Sequence, residues 1–303
     1  MTRSVRILTI SLSLLIMVIT GCAQVPKEAG FGDVQKLVHQ RIDYRLHWNQ
    51  GSAADEQVAR AIEDLIKKEL SVDAAVQIAL LNNQQLQATY EDLGITQADV
   101  VEAGLLENPV FFGQARFPDK SPSMTNLEFE VTQNFLSILM LPARKKLAAM
   151  QFEEVKLRVA DEVLKLADDV RAAYYQTLGA SQIKQMRQHI AEAAATSYEM
   201  ARRIHAAGNI SDLNLASEQG HYEQARMDYA ESTTIVVETR EQLIRLMGLW
   251  GAQTKWKVPG TLPDVPAEEI ALEHLESLAI KNRLDLASAR QEVEVLAQAL
   301  GVT

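Results

Sequence analysis

The stretch Ala143–Ala207 reads ARKKLAAMQFEEVKLRVADEVLKLADDVRAAYYQTLGASQIKQMRQHIAEAAATSYEMARRIHAA, with no Pro and a single Gly, Gly179. Only a helix keeps so long a run without a breaker, and at about 1.5 Å per residue these 65 residues reach about 97 Å, far beyond the width of a compact domain. Val159, Val163, Leu166, Val170, Ala173 and Thr177 step by fours and threes, and Ile183, Met186, Ile190, Ala193, Ser197, Met200 and Ile204 do so again. That spacing predicts a coiled-coil seam with a phase slip near Gly179.

Gly208-Asn209 ends this helix, Ser211 or Asp212 is placed to cap the next, and helical character resumes to Gly248 with Leu215, Tyr222, Tyr229, Val236 and Leu243 every seven residues. The two arms therefore form an antiparallel hairpin turning at Gly208–Asp212. Small residues fill much of the first arm (Ala191, Ala193, Ala194, Ala195, Ser197, Ala201), so the hairpin is expected to pack sideways against further helices.

Upstream, Ser71 is a plausible N-cap with Asp73 in the first turn, and a helix is expected over Val72–Leu106 until Asn108-Pro109 stops it. The period then changes to two. Val110–Phe117 and Leu127–Phe135 flank a turn-rich loop, with Phe111, Phe117, Leu127, Phe129, Val131 and Phe135 on the apolar face. An ordinary soluble hairpin gives the same alternation, yet the length approaches the roughly 9–11 residues a tilted membrane strand needs.

The N-terminus carries Arg3 and Arg6, an apolar run from Ile7 to Ile19, then Thr20-Gly21-Cys22. A basic start and a short apolar core ending in small residues predict an export signal over 1–21, too short for a stable spanning helix. Cys22 is the only Cys of the chain, which excludes an intrachain disulfide and a multi-cysteine metal site. Ile19-Thr20-Gly21-Cys22 resembles a bacterial lipobox; the resemblance implies that Cys22 is acylated and anchors the chain in outer-membrane lipid. An incidental Cys in a soluble periplasmic protein is the alternative. Residues 22–70 read as a tether with a short helical pattern through Ala59–Leu70.

At a shift of 200 residues the chain resembles itself: Ala79 pairs with Ala279, Asn82 with Asn282 and Leu86 with Leu286. A first unit over 71–248 (helix, two strands, helical hairpin), a linker over 249–270 and the start of a second unit over 271–303 follow from this. Amphipathic helices share a period for bland reasons, so chance similarity is the rival explanation.

Composition narrows the function. With 303 residues, 47% hydrophobic, 23% charged and a net charge of −10, the chain has material for a core and no basic excess for nucleic acid. A mean hydropathy of −0.09 excludes a polytopic helical membrane protein. No catalytic constellation, cofactor motif or metal-ligand spacing is visible: His39, His47, His189, His205, His221 and His274 are scattered, and pairs such as Asp168-Asp169 read as solvated helix faces.

Four stretches in order resemble the outer-membrane efflux channel family, the TolC-like proteins: Leu70–Leu80 at a helix start, Ala207–Leu215 at the hairpin tip, Arg240–Gly248 at a helix end and Lys281–Leu286 opening the second unit. The implied fold is mainly α, a long antiparallel helical hairpin with strands of an outer-membrane barrel. The implied activity is passive export by a homotrimer, working with a periplasmic adaptor and an inner-membrane pump. Gly32–Lys36 and His47–Gly51 in the N-terminal extension resemble members serving heavy-metal cation pumps. The implied docking tip is Gly208, Asn209, Ser211, Asp212 and Leu213, and the resemblance would place some acids along a lumen. The family's protomers supply four strands and two hairpins; this sequence shows two strands and one complete hairpin, so its second repeat reads as incomplete, and six strands from three copies fall short of the smallest membrane barrels. The rival reading is a periplasmic coiled-coil adaptor or tethering lipoprotein without channel activity.

Overall fold

The computed structural model describes residues 25–117, 119, 125–265, 267 and 273–301. Cys22 and the export signal lie outside the described residues. The element order is α1 (Phe31–His39), α2 (Ala53–Ile66), α3 (Val72–Asn82), α4 (Gln84–Ala103), β1 (Val110–Arg116), β2 (Asn126–Thr132), α5 (Phe135–Ala206), α6 (Asp212–Leu246), a 3-10 turn at Gly251–Thr254, α7 (Leu275–Asn282) and α8 (Leu284–Ala299). The fold is thus mainly helical with one two-stranded antiparallel sheet.

The chain divides into two units: Met1–Phe31, Asp92–Lys156 and Ala287–Thr303 form one, Gly32–Glu91 and Leu157–Leu286 the other. The second unit holds the larger core. Ala75, Val76, Ile78, Ala79, Leu80, Tyr90, Val159, Val163, Val170, Leu243 and Met247 are fully or almost fully buried there. Residues 32–70 belong to this core, through Val34, Val38, Trp48, Ile62 and Leu70. The second helix of this segment runs over Ala53–Ile66, not Ala59–Leu70, because Ser52 and Asp55 close its N-terminus: the Ser52 N–H donates to Asp55 Oδ2 at 2.7 Å.

The single helix expected over Val72–Leu106 is two helices. At Asn83 the backbone leaves the helical region (φ −63°, ψ 118°) while its N–H still bonds to Ala79 O, and its side-chain Oδ1 accepts from the Leu86 N–H at 2.9 Å. Asn83 therefore ends α3 and caps α4. Its Nδ2 donates to Leu246 O at 2.9 Å, and Asn82 Nδ2 donates to Met247 O and Gly248 O at 3.1 and 2.7 Å. The two amides thus occupy carbonyls that the end of α6 leaves without helical partners. Arg283 shows the same break two hundred residues later, with φ −68°, ψ 119° and its N–H on Ala279 O. The same backbone break thus recurs at a shift of 200 residues.

The long helix starts at Phe135, eight residues before the expected Ala143, and Pro142 lies inside it. Asn134 explains the early start: its Oδ1 accepts from the N–H groups of Leu136 and Ser137 at 3.1 and 3.4 Å, and its carbonyl accepts from Ser137 Oγ at 2.7 Å. Pro142 costs one backbone bond, from a position that would have reached Ile138 O. Phe135 is accordingly a helix residue and not a strand residue, which corrects its assignment to the membrane strands.

Candidate functional site

Two places concentrate the residues singled out from sequence, one in each unit. In the first unit β1 and β2 pair in antiparallel register with Phe111 opposite Val131, Gly113 opposite Phe129 and Ala115 opposite Leu127. The alternate positions carry Glu130, Gln114 and Glu128, with Phe112 opposite Glu130 as an apolar exception and Arg116 paired to Glu128 at 3.0 Å. One face is therefore wholly apolar, and every residue of both strands is exposed, Phe129 to 81%. Phe117, directly after β1, is exposed too. Burying a fully exposed side chain of this size gains about 1.5–3 kcal/mol, so Phe111, Leu127, Phe129 and Val131, each more than half exposed, leave about 4–8 kcal/mol unrealised in water. Each strand has seven residues, short of the span expected from sequence.

In the second unit α5 and α6 meet at the expected turn. Gly208 takes φ +77°, which an L side chain rarely adopts; its N–H donates to His205 O at 2.8 Å and that of Asn209 to Ile204 O at 3.1 Å. Ser211 caps α6, accepting from the Asn214 N–H at 3.3 Å. His205 Nε2 stands 2.7 Å from Asp212 Oδ1, tying the last turn of α5 to the first of α6. The Asp212 side chain is 99% exposed and Leu213 77%. Gly208, Asn209, Ser211, Asp212 and Leu213 thus come together as one short, internally bonded, fully exposed knuckle.

The arms behind the tip differ from the seam read in the sequence. Val159, Val163, Val170, Ala173 and Thr177 are buried as expected, and Thr177 Oγ1 donates to Thr239 O at 3.2 Å across the pair. Beyond Gly179 the contacts between arms are made by Arg187 with Asp228 at 2.7 Å, Ser197 with Glu218 at 2.8 Å and the stacked rings of Tyr198 and Tyr222. Ile183, Met186, Ile190, Met200 and Ile204 are exposed instead. They form an exposed apolar flank, which the periodicity assigns to the inside; Met200 and Ile204 border a groove shared with Asn214 and Ser217 of α6.

Sequence reasoning also missed an open groove of about 740 Å³ in the second unit, lined among others by Arg41, Asp161, Lys165, Asp168, Arg283 and Asp285. Partial burial, with the charges of Asp285 and Glu162, pushes the Asp161 carboxyl up. Arg283 bonds Asp285 and draws its carboxyl down to about 2. Nearby, Tyr44 donates to Asp73 Oδ1 at 2.7 Å. Nothing in a single sequence pairs residues so far apart. Among the described residues no group of three or more His, Cys, Asp or Glu is placed to hold a metal ion. Among them also, no helix is long and apolar enough to cross a membrane.

No family model matches the chain, and no curated protein matches it. Solved structures do. The CmeC outer membrane channel of Campylobacter jejuni is 12% identical, with a TM-score of 0.65 over 93% of this chain and 59% of its own. CusC, described in terms of folding and transmembrane channel formation, is 16% identical with a TM-score of 0.62 over 75% of this chain and 54% of its own. A membrane protein from Pseudomonas aeruginosa is 19% identical with a TM-score of 0.63 over 75% and 56%. The chain therefore has the fold of outer-membrane channels, as a TolC-like partial repeat. It spans less than two thirds of the length of these structures.

Proposed function

We propose that this chain is the outer-membrane channel component of a tripartite efflux system, a passive conduit and not an enzyme. The observation that carries the reading is the apolar face of the β1–β2 hairpin, exposed along its whole length in a chain with an outer-membrane channel fold. Lipid, or barrel strands facing lipid, supplies the surroundings that face lacks. In this reading three copies assemble, the apolar helical flank of Ile183, Met186, Ile190, Met200 and Ile204 packs on neighbouring staves, and the Gly208–Leu213 knuckle docks a periplasmic adaptor that links to an inner-membrane pump. Acylated Cys22 adds a lipid anchor in the outer membrane. Heavy-metal cations are the cargo the N-terminal extension points to, and the acidic balance of the chain favours cations.

Planar-bilayer recording on detergent-purified protein, sized beforehand, tests this. Trimers that conduct with a cation-selective reversal potential support it. A monomer that conducts nothing while binding a pump overturns it in favour of a periplasmic adaptor or tethering lipoprotein. Metabolic labelling with palmitate, compared with Cys22→Ser, tests the anchor.

A further inference from the structure

The chain is acidic overall, yet from Val131 to Phe152 there is no Asp or Glu, while Arg144, Lys145 and Lys146 follow one another. The first two turns of α5 fall in this window and carry Phe135, Leu136, Leu139 and Met140, all exposed, Leu139 to 78%. At 100° per residue these four lie within one broad stripe of the helix. Ser137 is buried and Leu141 and Arg144 are half-buried on the opposite side. Arg144 turns inward, with Nη2 donating to Ser137 O at 3.3 Å and Nη1 3.8 Å from Glu107. Lys145 and Lys146 are exposed. Lys146 stands seven residues after Leu139 and so on the same stripe, about 10 Å further along the axis.

The stripe is therefore apolar for two turns and then cationic, which fits the boundary between acyl chains and headgroup phosphates, where apolar side chains insert and lysines reach outward. The helix is not a spanning one, and it follows β2 after only Gln133 and Asn134, so the two exposed apolar surfaces are neighbours along the chain. We propose that the first two turns of α5, with Lys145 and Lys146, are an interfacial anchor resting in an anionic phospholipid surface. This rests on the channel reading and adds to it a lipid contact made by helix outside the strands.

The test uses full-length protein reconstituted in phosphatidylglycerol-containing vesicles, with an environment-sensitive fluorescent residue encoded in place of Leu139, Phe129 or Glu153 in turn. A blue-shifted, lipid-quencher-sensitive signal at 139 and at 129, with an aqueous signal at 153, is the expected result. In Lys145→Gln/Lys146→Gln protein the lipid fraction at 139 falls several-fold in these vesicles. A lipid signal at 129 with an aqueous one at 139 overturns the anchor and leaves the channel reading standing. A probe at 139 hidden from both water and lipid quenchers assigns the stripe to a second copy of the chain and overturns the proposal. Aqueous signals at both 129 and 139 overturn the channel reading and the anchor together.

Discussion

Replacing Asn83 with Ala tests the corner on which the larger core turns. The Asn83 side chain makes two bonds: it caps α4 by accepting from Leu86 N–H, and it donates to Leu246 O at the end of α6. Losing the cap costs about 1 kcal/mol. Leaving a part-buried carbonyl without its donor costs about 1–3 kcal/mol more, so the expected loss is about 2–4 kcal/mol. For a unit of this size each kcal/mol moves the melting midpoint by roughly 2–4 °C, which gives a fall of about 4–16 °C. Asn83→Ser keeps an oxygen for the cap and loses the amide N–H that reaches Leu246 O, so it falls between wild type and Asn83→Ala. Arg283→Ala, at the repeat-equivalent break, removes only a solvent-exposed pair with Asp285 and lowers the midpoint far less. Thermal scans by circular dichroism in detergent compare the three, with hydrogen exchange at the first turn of α4 as a local readout. Equal melting of Asn83→Ala and Arg283→Ala, with no faster exchange at Leu86, refutes the reasoning.

Gly248→Ala is expected to destabilise by about 2 kcal/mol or more in the same scans, because Gly248 has φ +66° and a Cβ there would stand 2.6 Å from Asn82 O. Asp212→Ala with Leu213→Ala leaves melting within about 2 °C, since both side chains are solvent-exposed, but weakens capture of a periplasmic adaptor in pull-downs. Asp161→Asn raises stability at neutral pH and keeps an oxygen to accept a bond. The raised carboxyl pKa of Asp161 means that the wild-type contribution is present below the unfolded value near 4 and is lost as pH rises through the folded one. The gain from the substitution therefore disappears in acid, and denaturation midpoints across pH read it.

Legibility followed the range of the signal. The hairpin and its tip were readable because helix periodicity, a Gly at positive φ and a Ser cap are local: Gly208 and Ser211 sit where the sequence placed them. The strand pair was readable through its alternation, but its end was not. The sequence ran β2 on to Phe135 because Asn134 looks like one more polar alternate; in the structure it is the cap that starts α5. Asn83 failed in the same way. A mid-helix Asn carries no obvious break, and its role depends on the carbonyls of Leu246 to Gly248, far away in the chain. The repeat at a shift of 200 held a usable warning, since one break implies the other.

The seam beyond Gly179 shows what periodicity cannot decide. A stripe of Ile183, Met186, Ile190, Met200 and Ile204 says that one helix face is apolar, and it does not say which neighbour covers it. Ala201, Ala225 and Ser232 are buried, and a charged pair, a hydroxyl–carboxylate bond and a tyrosine stack also join the arms. A solitary soluble hairpin built this way has its faces reversed, since it leaves five large apolar side chains about half in water, at about 1 kcal/mol each. Small and polar contacts fix the register of the two arms, and the apolar flank is free for a further helix. The same logic governs the strand face of Phe111 and Phe129: in both units large apolar surfaces are left exposed, as the proposed assembly of several staves requires.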